Sequence, residues 1–405
     1  METTIKKLCI AMVGLPARGK STIALRLKES LEAENFTVSI FNNGEVRRSM
    51  LSANTAHADF FSPENHEGVE IREQIARQNM QAAVDFLASG GDIALLDATN
   101  ITRARRMSIC SGMSPIPVLF IECINEDKTL LATSIAHKTK ISEFGHMTFP
   151  EALQNFEKRI QLYESQYETL RSEDNFVILN SLQNRVVREK VTDDIPHYPR
   201  IRDILVSDMI PNLYLVRHGE TYFNRERRIG GDSRLTEKGL HQAEQLAKHF
   251  QNVQVPFIFT STKTRTIQMA EIIAACQEKS VHVPLKELDE IDAGICESMT
   301  YDEIRKQHPQ IHVARSMDKY RYIYPEGEGY ITLQPRIQLG IKKALYLSGN
   351  AENIIIIGHQ AVNRMILSYF LFRRMEDVPY IYIPQDKYFH IVSTQTKKLF
   401  ELKKF

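Results

Sequence analysis

The chain has 405 residues, 43% of them hydrophobic and 25% charged, a length beyond one ordinary core and a composition that excludes extended disorder. Its 51 Lys and Arg balance 50 Asp and Glu, so no global charge argues for nucleic acid or a membrane surface as partner, and any anion site must be local. Five scattered cysteines without C-x-x-C spacing read as reduced thiols, and the apolar run LCIAMVGL, broken by Pro16 and Arg18, is too short to span a membrane and has no cleavage site behind it, so a cytoplasmic chain is expected.

The first strand, LCIAMVG, ends at Gly14, and a helical pattern starts at Lys20. Between them Gly14, Leu15, Pro16, Ala17, Arg18, Gly19, Lys20 and Ser21, followed by Thr22, satisfy the phosphate-loop pattern G-x-x-x-x-G-K-[ST] in its proper strand-to-helix setting. Glycines let backbone N–H groups curl around phosphate oxygens, Lys20 is placed to reach the outer phosphates, and Ser21 to hold Mg²⁺. The competing reading of the pattern is a chance match.

Next come FTVSIF, a helix from about Glu64, and DIALLD, whose final Asp97 either meets the metal and orients an attacking hydroxyl or caps the following helix. VLFIEC follows, then a helical stretch over FPEALQNFEKRIQLYESQYETL, whose Arg and Tyr can share one face, and the short strand NFVIL. This alternation predicts a mainly parallel sheet covered by helices. Arg47, Arg48, Arg72, Arg103, Arg105 and Arg106 fall near predicted loops or helix ends, where several suit an acceptor's phosphate and each alone is also an ordinary surface charge.

Prolines and mixed charge interrupt the periodicity in TDDIPHYPRIRDILVSDMIPN, which sets a boundary between residues 192 and 210 and domains at 1–208 and 209–405. A second sheet begins with NLYLVR and continues through FIFTS, VHVPL and NIIIIG, separated by helices from about Thr236, Thr262, Tyr301, Tyr330 and His359. NLYLVR delivers Arg217 and His218 to its carboxyl end, and NIIIIG delivers His359 in the same way. A neutral imidazole whose other nitrogen is held by a carbonyl can attack phosphorus, and the phosphoryl group in flight needs cations such as Arg217 and Arg265 around it. Glu290 suits a proton donor, but residue type alone does not rank it above Glu287, Asp289 and Asp292.

These motifs together resemble the bifunctional 6-phosphofructo-2-kinase/fructose-2,6-bisphosphatases over essentially the whole chain. GLPARGKS, DATNITRARR and KRIQLYE resemble the kinase half; RHGETYFN, RIGGDS, EIDAGICE, TYDEIR and HQAVNR resemble the phosphatase half. The resemblance implies a P-loop NTPase-like parallel sheet followed by a histidine-phosphatase, phosphoglycerate-mutase-like sheet flanked by helices. It implies MgATP at Lys20 and Ser21, a catalytic, metal-facing Asp97, and fructose 6-phosphate at Arg47, Arg72, Thr99, Arg105, Lys140, Arg159 and Tyr163.

In the second half it implies His218 as the phosphohistidine, Glu290 as proton donor, and Arg217, Arg265 and His359 around the 2-phosphate. Asn224, Gly230, Tyr301, Arg315, Lys319, Tyr330, Gln360 and Arg364 are implied to hold the rest of fructose 2,6-bisphosphate, which favours a bisphosphatase over a mutase. A homodimer and a role in glycolytic signalling are implied as well.

The departures lie in the kinase half, where Asn125 replaces a family cysteine, Val46 a tyrosine and Ile135 an asparagine. They leave open a bisphosphatase whose first domain senses nucleotide without catalysis. A further alternative, a general small-molecule kinase joined to a mutase-like enzyme, is opposed by Tyr301, Arg315, Lys319 and Tyr330. The phosphate motif begins at residue 14 and the sequence stops at Phe405, so the long phosphorylated ends of animal relatives are not expected here.

Overall fold

In the computed structural model the described residues are 7–51, 55, 57–138, 144, 147–371 and 373–405. The chain divides into two compact units, Met1–Ser207 and Asp208–Phe405.

The first unit is built on β1 (Leu8–Val13), β2 (Val38–Asn42), β3 (Ile93–Asp97), β4 (Val118–Ile124), β5 (Phe176–Asn180) and β6 (Arg185–Lys190), in the spatial order β2-β3-β1-β4-β5-β6. All pairs are parallel except β5 with β6. Every residue of β1 is buried, as the uninterrupted apolar run of a strand covered on both faces requires. The edge strand β6 escapes an apolar search because its sequence RVVREK is mostly exposed.

Two expectations for the first unit are corrected. The helix predicted across residues 149–170 ends at Glu164, because Tyr167, Thr169 and the Leu170 N–H turn inward to bond the wholly buried Glu122 carboxylate. The stretch expected to be an irregular boundary contains a helix, Tyr198–Val206, with Pro199 in its first turn, where proline starts helices instead of breaking them. Ile201, Ile204 and Leu205 form its buried face.

The second unit holds β7 (Ile210–Arg217), β8 (Phe257–Thr260), β9 (Val281–Pro284), β10 (Asn353–Gly358), β11 (Lys387–Ser393) and β12 (Lys398–Lys404), in the order β12-β11-β7-β10-β8-β9. Strands β7 to β10 are parallel, and β11 and β12 join as an antiparallel hairpin on the β7 side. The pleat divides β10 between two cores: Ile354 and Ile356 enter one, Ile355 and Ile357 the other. Each isoleucine so buried stabilises the sheet by roughly 1.5–3 kcal/mol. The helix expected from Tyr301 is two helices, Tyr301–Gln307 and Pro309–Met317, divided at His308 because the residue before a proline disfavours helical backbone.

Candidate active sites

In the first unit the phosphate loop follows β1. Gly14 takes φ +132°, and a Cβ there would stand 2.6 Å from the Cys123 carbonyl oxygen, so only glycine lets the loop pass β4 this closely. Its N–H donates to the Thr99 carbonyl at 2.9 Å. Ala17 and Gly19 also have left-handed backbones, which turns the loop into the helix Lys20–Glu32. Lys20 is 8% exposed and its Nζ donates to the Leu15 carbonyl at 2.7 Å, folded over the loop it would share with a phosphate. Ser21 is exposed on the first turn.

Asp97 ends β3, directly opposite Asn42 of β2, whose Nδ2 donates to Asp97 Oδ2 at 2.6 Å. It does not cap the next helix: Thr102 does, accepting from the Arg105 N–H at 3.3 Å. That leaves the carboxylate of Asp97, 4% exposed, at the sheet's carboxyl edge. Asn42 also caps the helix Asn43–Met50, which carries Arg47, and Asn43 accepts from Asn79 Nδ2 at 2.7 Å on the helix His66–Ala88, which carries Arg72. Arg47, Arg72 and Arg159 place their guanidinium groups 4.9, 5.8 and 3.8 Å from the centroid of one ring, Phe61, and the Tyr163 ring lies 5.9 Å from it.

Not all the candidate arginines join them. Arg106 is a structural residue, buried in an ion pair with Glu173 at 2.6 Å and donating to the carbonyls of Asn100 and Ile101. Arg105 pairs with Glu73. Lys140 lies outside the described residues. Asn125 is 4% exposed; its Oδ1 accepts from the Asp127 N–H at 3.0 Å, and Ile135 packs beside Ala17 in a small core.

In the second unit register creates the site. Arg217 of β7 pairs with Gly358 of β10, so the next residues, His218 and His359, emerge side by side with ring centroids 5.2 Å apart. His218 Nδ1 lies 2.8 Å from the Gly219 carbonyl. A carbonyl only accepts, so the proton is on Nδ1 and Nε2 carries the free lone pair. Burial, then the charges of Arg265 and Arg217, hold this imidazole well below its usual basicity, so it stays neutral.

His218, Arg217, Arg265, Asn224, Gly230, Glu290, Tyr301, Arg315, Lys319, Tyr330, Gln360 and Arg364 line one cleft of about 470 Å³. His359 is wholly buried and meets the site through Arg265. The structure separates the four neighbouring carboxylates. Glu290 alone lines the cleft, accepting from the Gln360 N–H at 3.1 Å; Glu287 pairs with Lys343, Asp289 binds Thr262 and Asp292 the Gly294 N–H.

Farther along the cleft, Arg364 Nη1 donates to Tyr330 at 3.0 Å and its Nε to the Ile381 carbonyl at 2.8 Å. Arg315 donates to the Tyr301 hydroxyl at 3.2 Å, and Lys319 to the Pro379 carbonyl at 3.0 Å. Burial, reinforced by Arg315 and Arg364, pushes the Lys319 ammonium down to about 8. The cleft is thus lined by cations, among them Arg217, Arg265, Arg315, Lys319 and Arg364, and suits a strongly anionic ligand.

Sequence reasoning missed two contributors. Gln385, just before β11, donates through Nε2 to the His218 carbonyl at 3.1 Å and to Asn224 Oδ1 at 3.0 Å. Ser261 receives His359 Nε2 at 2.7 Å. Ser261 ends the expected strand FIFTS, whereas Gln385 belongs to a hairpin whose strands were not recognised.

The profile of the 6-phosphofructo-2-kinase family matches residues 1–200, and that of the histidine phosphatase superfamily, branch 1, matches residues 213–403. A Caenorhabditis elegans protein named 6-phosphofructo-2-kinase/fructose-2,6-bisphosphatase is 37% identical over 396 residues, covering 93% of this chain and 84% of its own. The rat and human proteins named 6-phosphofructo-2-kinase/fructose-2,6-bisphosphatase 4 are each 36% identical, covering 93% of this chain and 80% of theirs.

Proposed function

Since this chain belongs to the 6-phosphofructo-2-kinase/fructose-2,6-bisphosphatase family, we propose that its two clusters divide the family's work, residues 1–208 carrying the kinase and 209–405 the phosphatase. The protein is a bifunctional enzyme of fructose 2,6-bisphosphate synthesis and breakdown. The observation that carries the assignment of residues is the state of His218: Nδ1 occupied by its own chain, Nε2 free in a cleft between two arginines and Glu290.

In the phosphatase, Arg217 and Arg265 surround the 2-phosphate, with the buried His359 backing Arg265, while Arg315, Lys319, Tyr330 and Arg364 hold the sugar and its 6-phosphate, with Asn224, Gly230, Tyr301 and Gln360 completing the walls. His218 Nε2 forms a bond to phosphorus as the bond to O2 breaks, and Glu290 gives the departing oxygen its proton. Glu290, now ionised, takes a proton from the water that cleaves the phosphohistidine, and both residues return to their starting states. The arginines act by neutralising charge on the phosphoryl oxygens during each transfer.

A kinase uses a nucleotide; ATP with Mg²⁺ is the form the loop favours. Positive φ at Gly14, Ala17 and Gly19 curls the loop, Lys20 is folded over it, and Ser21 and Asp97 are oxygen donors of the type Mg²⁺ prefers. Bound there, MgATP supplies the phosphoryl group and shields its charge. The chain's own part is positioning: Asp97 orients O2 of fructose 6-phosphate, and Arg47, Arg72, Thr99, Arg105, Lys140, Arg159 and Tyr163 hold the sugar phosphate.

A cytoplasmic location and a homodimer complete the proposal, the first from the cysteine pattern and the second from the family; light scattering that finds only monomer removes the dimer. Lys20→Ala tests the kinase assignment: synthesis is abolished and hydrolysis kept, and intact synthesis refutes it.

A further inference from the structure

Three arginines of the kinase half share one support. Phe61 closes the short 3-10 helix Ala58–Phe61 and is 2% exposed. Arg159, Arg47 and Arg72 reach its ring from three separate helices, Phe149–Glu164, Asn43–Met50 and His66–Ala88, with guanidinium carbons at 3.8, 4.9 and 5.8 Å from the centroid. The backbone adds to this hold. Arg72 Nη1 donates to the Phe61 carbonyl at 3.3 Å and its Nε to the Gly68 carbonyl at 3.0 Å, while Arg47 Nη1 donates to the Thr55 carbonyl at 2.7 Å.

Like charges brought this close repel one another, so something must hold them before substrate arrives. An aromatic face attracts each guanidinium through its quadrupole, and carbonyls fix N–H directions, yet neither carries net charge. Ring and carbonyls therefore add no negative charge to the cluster.

We propose that Phe61 is a positioning residue for the sugar-phosphate site, its ring and carbonyl holding Arg159, Arg47 and Arg72 in one arrangement complementary to a phosphate dianion. This rests on reading those arginines as holders of fructose 6-phosphate. The kinase thereby meets its acceptor with cations already ordered, and the ordering cost that would weaken binding is met in folding. The ring touches no reacting atom, so its loss acts on substrate affinity and not on the transfer itself.

The test is the full-length enzyme with 4-fluoro-, 3,5-difluoro- and 3,4,5-trifluorophenylalanine at position 61, together with Phe61→Leu. Fluorination drains the ring's negative face while nearly keeping its shape. Initial ADP release is followed at saturating MgATP with fructose 6-phosphate varied. We expect KM for fructose 6-phosphate to climb with each fluorine, reaching about tenfold, or about 1.4 kcal/mol, in the trifluoro protein, with kcat and KM for ATP within about twofold of wild type. Phe61→Leu shows at least the same rise. A flat KM across the series overturns the inference.

Arg72→Ala and Arg159→Ala separate the role of Phe61 from that of the arginines it supports. If both raise KM for fructose 6-phosphate while fluorination does not, the role of Phe61 alone falls. If neither does, or if wild type releases no ADP, the site assignment falls and takes this inference with it.

Discussion

Arg265 Nε donates to His359 Nδ1 at 3.2 Å, and this one contact decides where the proton of a wholly buried imidazole resides. An arginine Nε–H only donates, so Nδ1 accepts, the proton is on Nε2, and Nε2–H donates to Ser261 Oγ at 2.7 Å. Ser261, already accepting from the Lys263 N–H, passes its own hydrogen to Thr266 Oγ1 at 2.8 Å. Burial first, then Arg265, lowers the basicity of His359, so the tautomer is kept without the charge.

Ser261→Ala leaves the Nε2–H without its acceptor and frees the ring that backs both Arg265 and His218. We expect phosphatase kcat to fall about tenfold to a hundredfold with little change in KM, and kinase turnover to be unaffected. Steady-state rates at both sites check this; a selective rise in KM contradicts it.

The pH profile of the phosphatase follows from two depressed basicities. As the proposed nucleophile His218 attacks only when neutral, and its activity is lost as pH falls through a pKa well below 6.5, so the acid limb begins well under that pH. Lys319, in its proposed role, grips phosphate only when charged, and it loses its proton as pH rises through about 8. KM for fructose 2,6-bisphosphate therefore climbs above about pH 8, and Lys319→Arg removes that alkaline limb.

Gln385 fastens the His218 carbonyl to Asn224. Gln385→Met keeps the length of the side chain and deletes both donors, so labelling of the phosphoenzyme in rapid-quench experiments slows by about tenfold. An unchanged labelling rate makes Gln385 mere cleft lining.

Gly230 has φ +62°, and a Cβ there would stand 2.2 Å from the Glu297 carboxylate, which also accepts from the Gly231 and Ala293 N–H groups. Gly230→Ala strains the backbone by about 1–3 kcal/mol and displaces this wall of the cleft. The ratio of phosphatase to kinase activity drops sharply; a preserved ratio shows that the wall yields without cost.

Both candidate sites were legible where an apolar strand runs straight into a chemically specific end, as LCIAMVG does at Gly14 and NLYLVR at His218. The adjacency of His218 and His359 was not, because register between strands some 140 residues apart is fixed by long-range packing. The β11–β12 hairpin escaped notice since its charged edge strand interrupts the apolar signal, and Gln385 was hidden with it. Glu290 became distinct from its acidic neighbours only when their partners, Lys343, Thr262 and Gly294, were located. Phe61 gains its meaning from three helices that meet only in the folded chain.

Two working sites of opposite direction share this chain, and His218 is proposed to serve only the second. The most direct measurement is formation of acid-labile fructose 2,6-bisphosphate by the His218→Ala protein from fructose 6-phosphate and MgATP. Steady accumulation, with no hydrolysis of added product, is the predicted result. Failure to accumulate any, while the unaltered chain hydrolyses the bisphosphate, contradicts the account and leaves the first domain a nucleotide sensor.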